Sequence, residues 1–131
     1  MWRFGRKEPG EVWDEPLDGP LGDIEAAERV RNICRSAADS AELAAHLADN
    51  GKRSAQKKQK AESDRYERAA KTAMEIAMKM SDALMRDAAV REIVDLCLTA
   101  NNTKTATILF RAIQAPDIRD MVLRDHPELG R

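Results

Sequence analysis

The sequence predicts an all-α protein, an antiparallel bundle of about five helices whose last four form two stacked helix-turn-helix units. Composition is the first reason: 43% of the 131 residues are hydrophobic but only 4% aromatic, and 34% are charged. Such a chain builds its core from aliphatic side chains, Ala and Met, and turns charged faces to water. The second reason is patterning. From Asp23 onward apolar residues recur at three- and four-residue steps, interrupted only by short Asn-, Gly- and Pro-bearing breaks. The third is self-similarity, because the last third of the chain nearly repeats itself at an offset of 33 residues.

Residues 1–22 read as an irregular tail, since Pro9-Gly10, Pro16 and Gly19-Pro20 interrupt any period. Three of the chain's five aromatics, Trp2, Phe4 and Trp13, fall in it. Two destinations are open for them: the protein's own helices, or a partner or second subunit, where Trp is a favoured anchor. Residues 23–131 read as a single helical domain.

A first helix is expected over 23–50. Asp23 is its candidate N-cap and Glu25 suits the positive end of its dipole. Ala26, Val30, Ile33, Ala37, Ala44 and Leu47 form one stripe, widened by Ala27, Cys34, Ala38, Ala41 and Ala45. So much Ala admits a neighbouring helix closely. Asn50-Gly51 suits a C-terminal cap. A second helix is expected over 52–81. Its first half, Lys52 to Arg68, is almost wholly polar, so it must project from the bundle or line its edge. From Ala69 an apolar face appears: Ala69, Ala73, Ile76, Ala77 and Met80.

The third helix, 83–100, is expected to start from Asp82 as N-cap and to turn Leu84, Ala88, Val90, Ile93, Val94, Cys97 and Leu98 inward. Asn101-Asn102 marks the next turn. Thr103 is read as the cap of a fourth helix over 103–114, with Ile108, Leu109, Ala112 and Ile113 inward and Phe110 nearby. Pro116 opens a fifth helix over 116–126, at the position where its missing N–H is harmless. Short connections make consecutive helices antiparallel.

The repeat aligns without gaps. Thr72-Ala73 recurs as Thr105-Ala106, Arg86-Asp87 as Arg119-Asp120 and Arg91 as Arg124, while Ile76, Met80, Met85 and Val90 map to Leu109, Ile113, Ile118 and Leu123. The acidic-then-basic pairs Asp87–Arg91 and Asp120–Arg124 stand four apart, a spacing suited to surface ion pairs. In period, helix order and small residues at helix crossings, residues 69–126 resemble the tetratricopeptide-type superfamily of helical-hairpin repeats. That resemblance implies stacked hairpins that serve as binding scaffolds rather than as sites of chemistry. The stretch departs from the family's pattern, with no Trp or Tyr in the first helix after Ala69 and Pro116 lying between the helices of a unit. No binding residues are therefore carried over.

The charge pattern is uneven. Residues 1–25 carry three basic and seven acidic side chains, and residues 51–68 carry seven basic and three acidic, within a total of −1. An acidic tail and a basic segment attract each other or meet separate partners. Catalysis requires a nucleophile, base or metal ligands converging on a cleft. His46 and His126 stand apart from Cys34 and Cys97, and the chain carries no Gly-rich phosphate loop, HExxH, CxxC or GxSxG. No catalytic, cofactor or metal residues are therefore assigned. The two cysteines read as buried thiols of a reducing compartment. No run reaches the ~20 apolar residues that span a bilayer, and a cytoplasmic location is expected.

The leading functional expectation is a non-enzymatic, self-associating helical module for protein–protein contacts, such as an adaptor, chaperone-like protein or regulatory subunit. Its candidate partner-binding residues are Trp2, Phe4, Trp13, Met74 and Met78, the flexible thioethers offering an adaptable face. The alternative is nucleic-acid binding through Lys52, Arg53, Lys57, Lys58 and Lys60, five basic residues with no acidic one among them. Against that stand the near-neutral total charge and the lack of interleaved aromatics.

Overall fold

The computed structural model describes residues 11–14 and 21–130. All regular structure among them is helical. A 3-10 turn, Val12–Asp14, precedes α1 (Asp23–Leu47), α2 (Arg53–Ala77), α3 (Ala83–Thr99), α4 (Thr103–Ala112) and α5 (Pro116–Asp125), and a second 3-10 turn follows at Pro127–Gly130. The main packing is α1 on α2 and α3, and α3 on α4, with α5 resting on α3 and on the last turn. Neighbouring helices alternate in direction. The start of α1 meets the α2–α3 turn, and the start of α3 meets the end of α4.

The stripe read on α1 is the one buried: Ala26, Val30, Ile33, Cys34, Ala37, Ala41 and Ala44 face the core. It meets Tyr66, Ala69, Ala73, Ile76 and Ala77 of α2 and Val90, Ile93, Val94 and Cys97 of α3. The polar half of α2 lines the bundle's edge. Gln59 donates to the Ala44 carbonyl at 3.4 Å, and Arg65 reaches the Ser40 hydroxyl, so Ala, Ser and Gln make the crossing that larger aliphatics make elsewhere.

Several caps differ from expectation. Asp23 does not cap its own helix, whose N-cap position is Gly22. Its carboxylate instead crosses to the α2–α3 turn, accepting from the backbone N–H groups of Ser81 (2.9 Å) and Asp82 (2.8 Å). α1 stops at Leu47, and the Asn50 side chain accepts from Lys52 N–H rather than closing α1. α2 stops at Ala77, because the chain must turn for Met80 to enter the core. Asp82 does cap α3, and Asn102, not Thr103, caps α4. Asn102 serves because the residue before it, Asn101, adopts φ 61°. The turn then closes by hydrogen bonds from Asn101 to Leu98 and from Asn102 to Cys97, the two-bond pattern that ends helices through a left-handed residue.

Two inward faces were misread. Leu84 and Ala88 of α3 and Ile108 and Ala112 of α4 are exposed. On α4 only Ala106 and Phe110 are buried, continued by Ile113 beyond its end. That stripe is narrow, with Leu109 half-buried beside it as expected, and Ile108, two positions from Ala106 and Phe110, points away from it. Arg91 does not pair with Asp87. It reaches Met121 (3.2 Å) and Asp125 (3.5 Å) on α5, because the Asp87 carboxylate is committed elsewhere. Both cysteines are buried free thiols.

Candidate interaction surfaces

Arg65, midway along α2, organises the first candidate surface. Its guanidinium forks onto the Glu11 carboxylate, with Nη2 3.1 Å from Oε1, while Nη1 donates to Ser40 on α1. The same group lies 5.0 Å from the centre of the Trp13 ring, within cation–π range. Trp13 is only 3% exposed and packs against α1 and α2. Of the two destinations open to it in the sequence, its own helices hold it. Trp2 and Phe4 lie outside the described residues. The acidic-tail and basic-helix attraction is realised at this point: the Arg65 hydrogen bond holds the Glu11 carboxyl below its ordinary value, with the charges of Arg65 and Arg68 adding to it.

The second surface is the bundle end where α1 begins, α2 ends and α3 begins. Asp23 pins these three termini together. Ile24 (72% exposed), Met78 (59%) and Leu84 (59%) all sit there, three of the four large exposed hydrophobics among the described residues. The α2 flank beside this end carries a shallow groove lined by Lys71, Met74, Glu75, Met78 and Lys79. The structure thus separates the predicted methionines: Met78 is presented, Met74 half-buried against the core, and Met80 buried. Ile24 and Leu84 were missed as surface residues. Each stands at a helix terminus, where a stripe read from interior periodicity no longer says which side is covered.

The third surface is the start of α2. Lys52, Arg53, Lys57, Lys58 and Lys60 are all exposed, and Arg53, Lys57 and Lys60 share one face at steps of four and three. Lys60 makes a surface ion pair with Asp64 at 3.3 Å.

At the C-terminal end of α3, His126, which the sequence set apart from both cysteines, meets carboxylates. Its Nε2 lies 3.2 Å from Asp95 of α3 and its Nδ1 4.0 Å from Glu128. These residues, with Thr99, Asn101, Thr103 and Asp125, line an open polar cleft. No group of three or more His, Cys, Asp or Glu among the described residues is arranged to hold a metal ion. No described helix is long and apolar enough to cross a membrane.

Between these surfaces lies a buried polar knot. The Asn102 amide donates to the Tyr66 hydroxyl at 2.9 Å, and Cys97 belongs to the same buried cluster as Tyr66. Burial pushes the Tyr66 phenol and the Cys97 thiol up, and drives Cys34 to about 12, with Glu92, Cys97 and Asp95 adding to the last. A thiol or phenol held in its neutral form is a weak nucleophile.

Compared with protein-family models, with curated proteins and with solved structures, the chain matches none.

Proposed function

We propose that this chain is a small helical protein–protein interaction module, self-associating and acting by binding rather than by catalysis. The observation that carries the reading is the apolar bundle end. Ile24, Met78 and Leu84 are held out to solvent by termini that Asp23 rigidly ties together. Exposed apolar side chains gathered on an ordered framework are a recurrent mark of docking surfaces, and Lys71, Glu75 and Lys79 supply a polar rim beside Met74 and Met78. Stacked helical hairpins, as in the tetratricopeptide-type repeats the sequence resembles, are scaffolds suited to this use. Affinity capture with the full chain and with a Met78→Asp/Leu84→Asp variant tests it. A partner retained by the first and lost from the second is the expected result. The same recovery on both would remove this face from the proposal.

A second reading rests on the exposed Arg53, Lys57 and Lys60 face, which suits a phosphate backbone. A salt-sensitive gel shift with random DNA or RNA, lost on changing Lys57, Lys58 and Lys60 to Glu, would favour it. A flat response at low salt eliminates it.

A further inference from the structure

The outer face of α2 carries a row of charge that its own fold does not use. Glu67, Lys71, Glu75 and Lys79 follow one another at steps of four, alternate in sign and are all exposed. Neighbours at this spacing can pair along one helix, and Lys60 and Asp64 do so at 3.3 Å. Among the described residues, none of the four makes an ion pair or a hydrogen bond. Beside them runs a second row at the same steps, Ala70, Met74 and Met78. It starts half-buried against the core and ends on Met78, which is held out to solvent. The two rows together line the shallow groove on the α2 flank.

We infer that a second copy of the chain occupies this groove, with α2 packed antiparallel on the other copy's α2 about a two-fold axis. This rests on the self-associating part of the proposed function and gives it an interface. The order of the charges argues for that occupant. A two-fold axis beside Ala73 reverses the chain direction, so position 71 meets position 75 of the other copy and position 67 meets position 79. Lys71 then faces Glu75, and Glu67 faces Lys79, each pairing occurring twice. An alternating row with an even number of members is complementary to its own reverse. In a parallel pairing in register, each charge would face its like. The apolar row obeys nearly the same axis. A shift of one residue, about 1.5 Å, sets Met74 on Met74 and the large Met78 on the small Ala70. Rows at steps of four run side by side when two helices cross at about 50°, so both rows stay in contact. An unrelated partner has no reason to present this reversed order, whereas a second copy presents it automatically.

Charge reversal provides the test. All four charged side chains are exposed, so the helices should remain intact, which circular dichroism checks. A contact through one helix face is a small interface, so association is expected at about 0.1 mM. There the parent should sediment near twice the 14.7 kDa chain mass. Lys71→Glu alone and Glu75→Lys alone each set like charges across the axis twice. Each should dimerise at least about tenfold more weakly than the parent. An equal mixture of the two variants should recover a dimer containing one copy of each, because every charge again faces its opposite. The double variant Lys71→Glu/Glu75→Lys should recover the homodimer for the same reason. A monomeric parent overturns this interface and the self-association on which it rests. A parent dimer indifferent to either reversal, or a mixture that stays monomeric, overturns this interface alone. No variant touches Ile24, Met78 or Leu84, so partner capture at the bundle end keeps its own test.

Discussion

Asp87 does for the α4–α5 turn what Asp23 does for the α2–α3 turn. Asp87 Oδ2 accepts from Gln114 N–H (3.0 Å) and Ala115 N–H (2.9 Å), and Asp23 accepts from Ser81 and Asp82. The two pairs of donors stand one 33-residue period apart. The backbone around them repeats too: Met80 bonds back to Ala77 and Ile113 to Phe110, while Arg86 bonds to Asp82 and Arg119 to Ala115. The acceptors themselves are not repeat-related in sequence. Each comes from the helix before the hairpin, α1 in one case and α3 in the other. A helix that packs antiparallel to the first member of the next hairpin thus begins beside that hairpin's turn, and an Asp in its first turns finds two free N–H groups.

Removing these carboxylates should cost stability unequally. Asp87 is 2% exposed, with its second oxygen 3.6 Å from Arg86, whereas Asp23 is only half-buried. A hydrogen bond to a charged group contributes about 1.5–3 kcal/mol, and capping carboxylates at exposed sites about 1. Asp87→Ala is expected to lose about 3 kcal/mol in urea denaturation and Asp23→Ala about 1–2. Equal losses would show that burial does not set the value of this cap.

The corrected face of α4 is checked by truncation. Ile113→Ala removes a fully buried side chain at the α4–α5 turn and should cost about 2–5 kcal/mol. Ile108→Ala, on the exposed face, should fall within about 0.5 kcal/mol of the parent. The reverse order would restore the inward placement of Ile108 that its hydrophobicity suggested.

Docking of Trp13 should depend on acid pH with a definite sign. Glu11 is held below its ordinary value in the folded chain. Its contribution is therefore complete above the unfolded carboxyl's pKa and is lost as pH falls through the lower folded value. In a Trp2→Phe background, where Trp13 is the lone tryptophan, emission should stay blue-shifted through the normal carboxylate range and redden only below it. In Glu11→Gln that acid step should vanish, because no proton is taken up at position 11.

Cys34 should resist alkylation. With its thiol pushed to about 12 by burial and then by Glu92, Cys97 and Asp95, almost none is thiolate at pH 8. Iodoacetamide should modify it slowly in the native protein and at the rate of an ordinary thiol in urea, as read by mass spectrometry. Rapid native labelling would show the α1–α3 interface opening locally.

The sequence by itself determined the helical class, the five helices and, to within a few residues, their ends, because apolar periodicity, Asn-bearing breaks and Pro116 act locally. It also determined the buried stripe of α1, and left the attraction between an acidic tail and a basic α2 as one of two outcomes of the charge pattern. Tertiary structure alone decided where the side chains at helix ends are spent. Asp23 looks like a cap for its own helix and serves a turn 58 positions away; Asp87 looks like a surface partner of Arg91 and is buried beneath another turn. Ile24, Leu84 and Ile108 are as hydrophobic as the core residues beside them, yet they are exposed because no neighbouring helix passes over them. The seat of Trp13 was equally undecidable along the chain, since Arg65, Ser40 and Glu11 converge only when α1 and α2 are laid side by side. Periodicity reports which residues seek burial; which of them obtain it depends on how far each neighbouring helix extends.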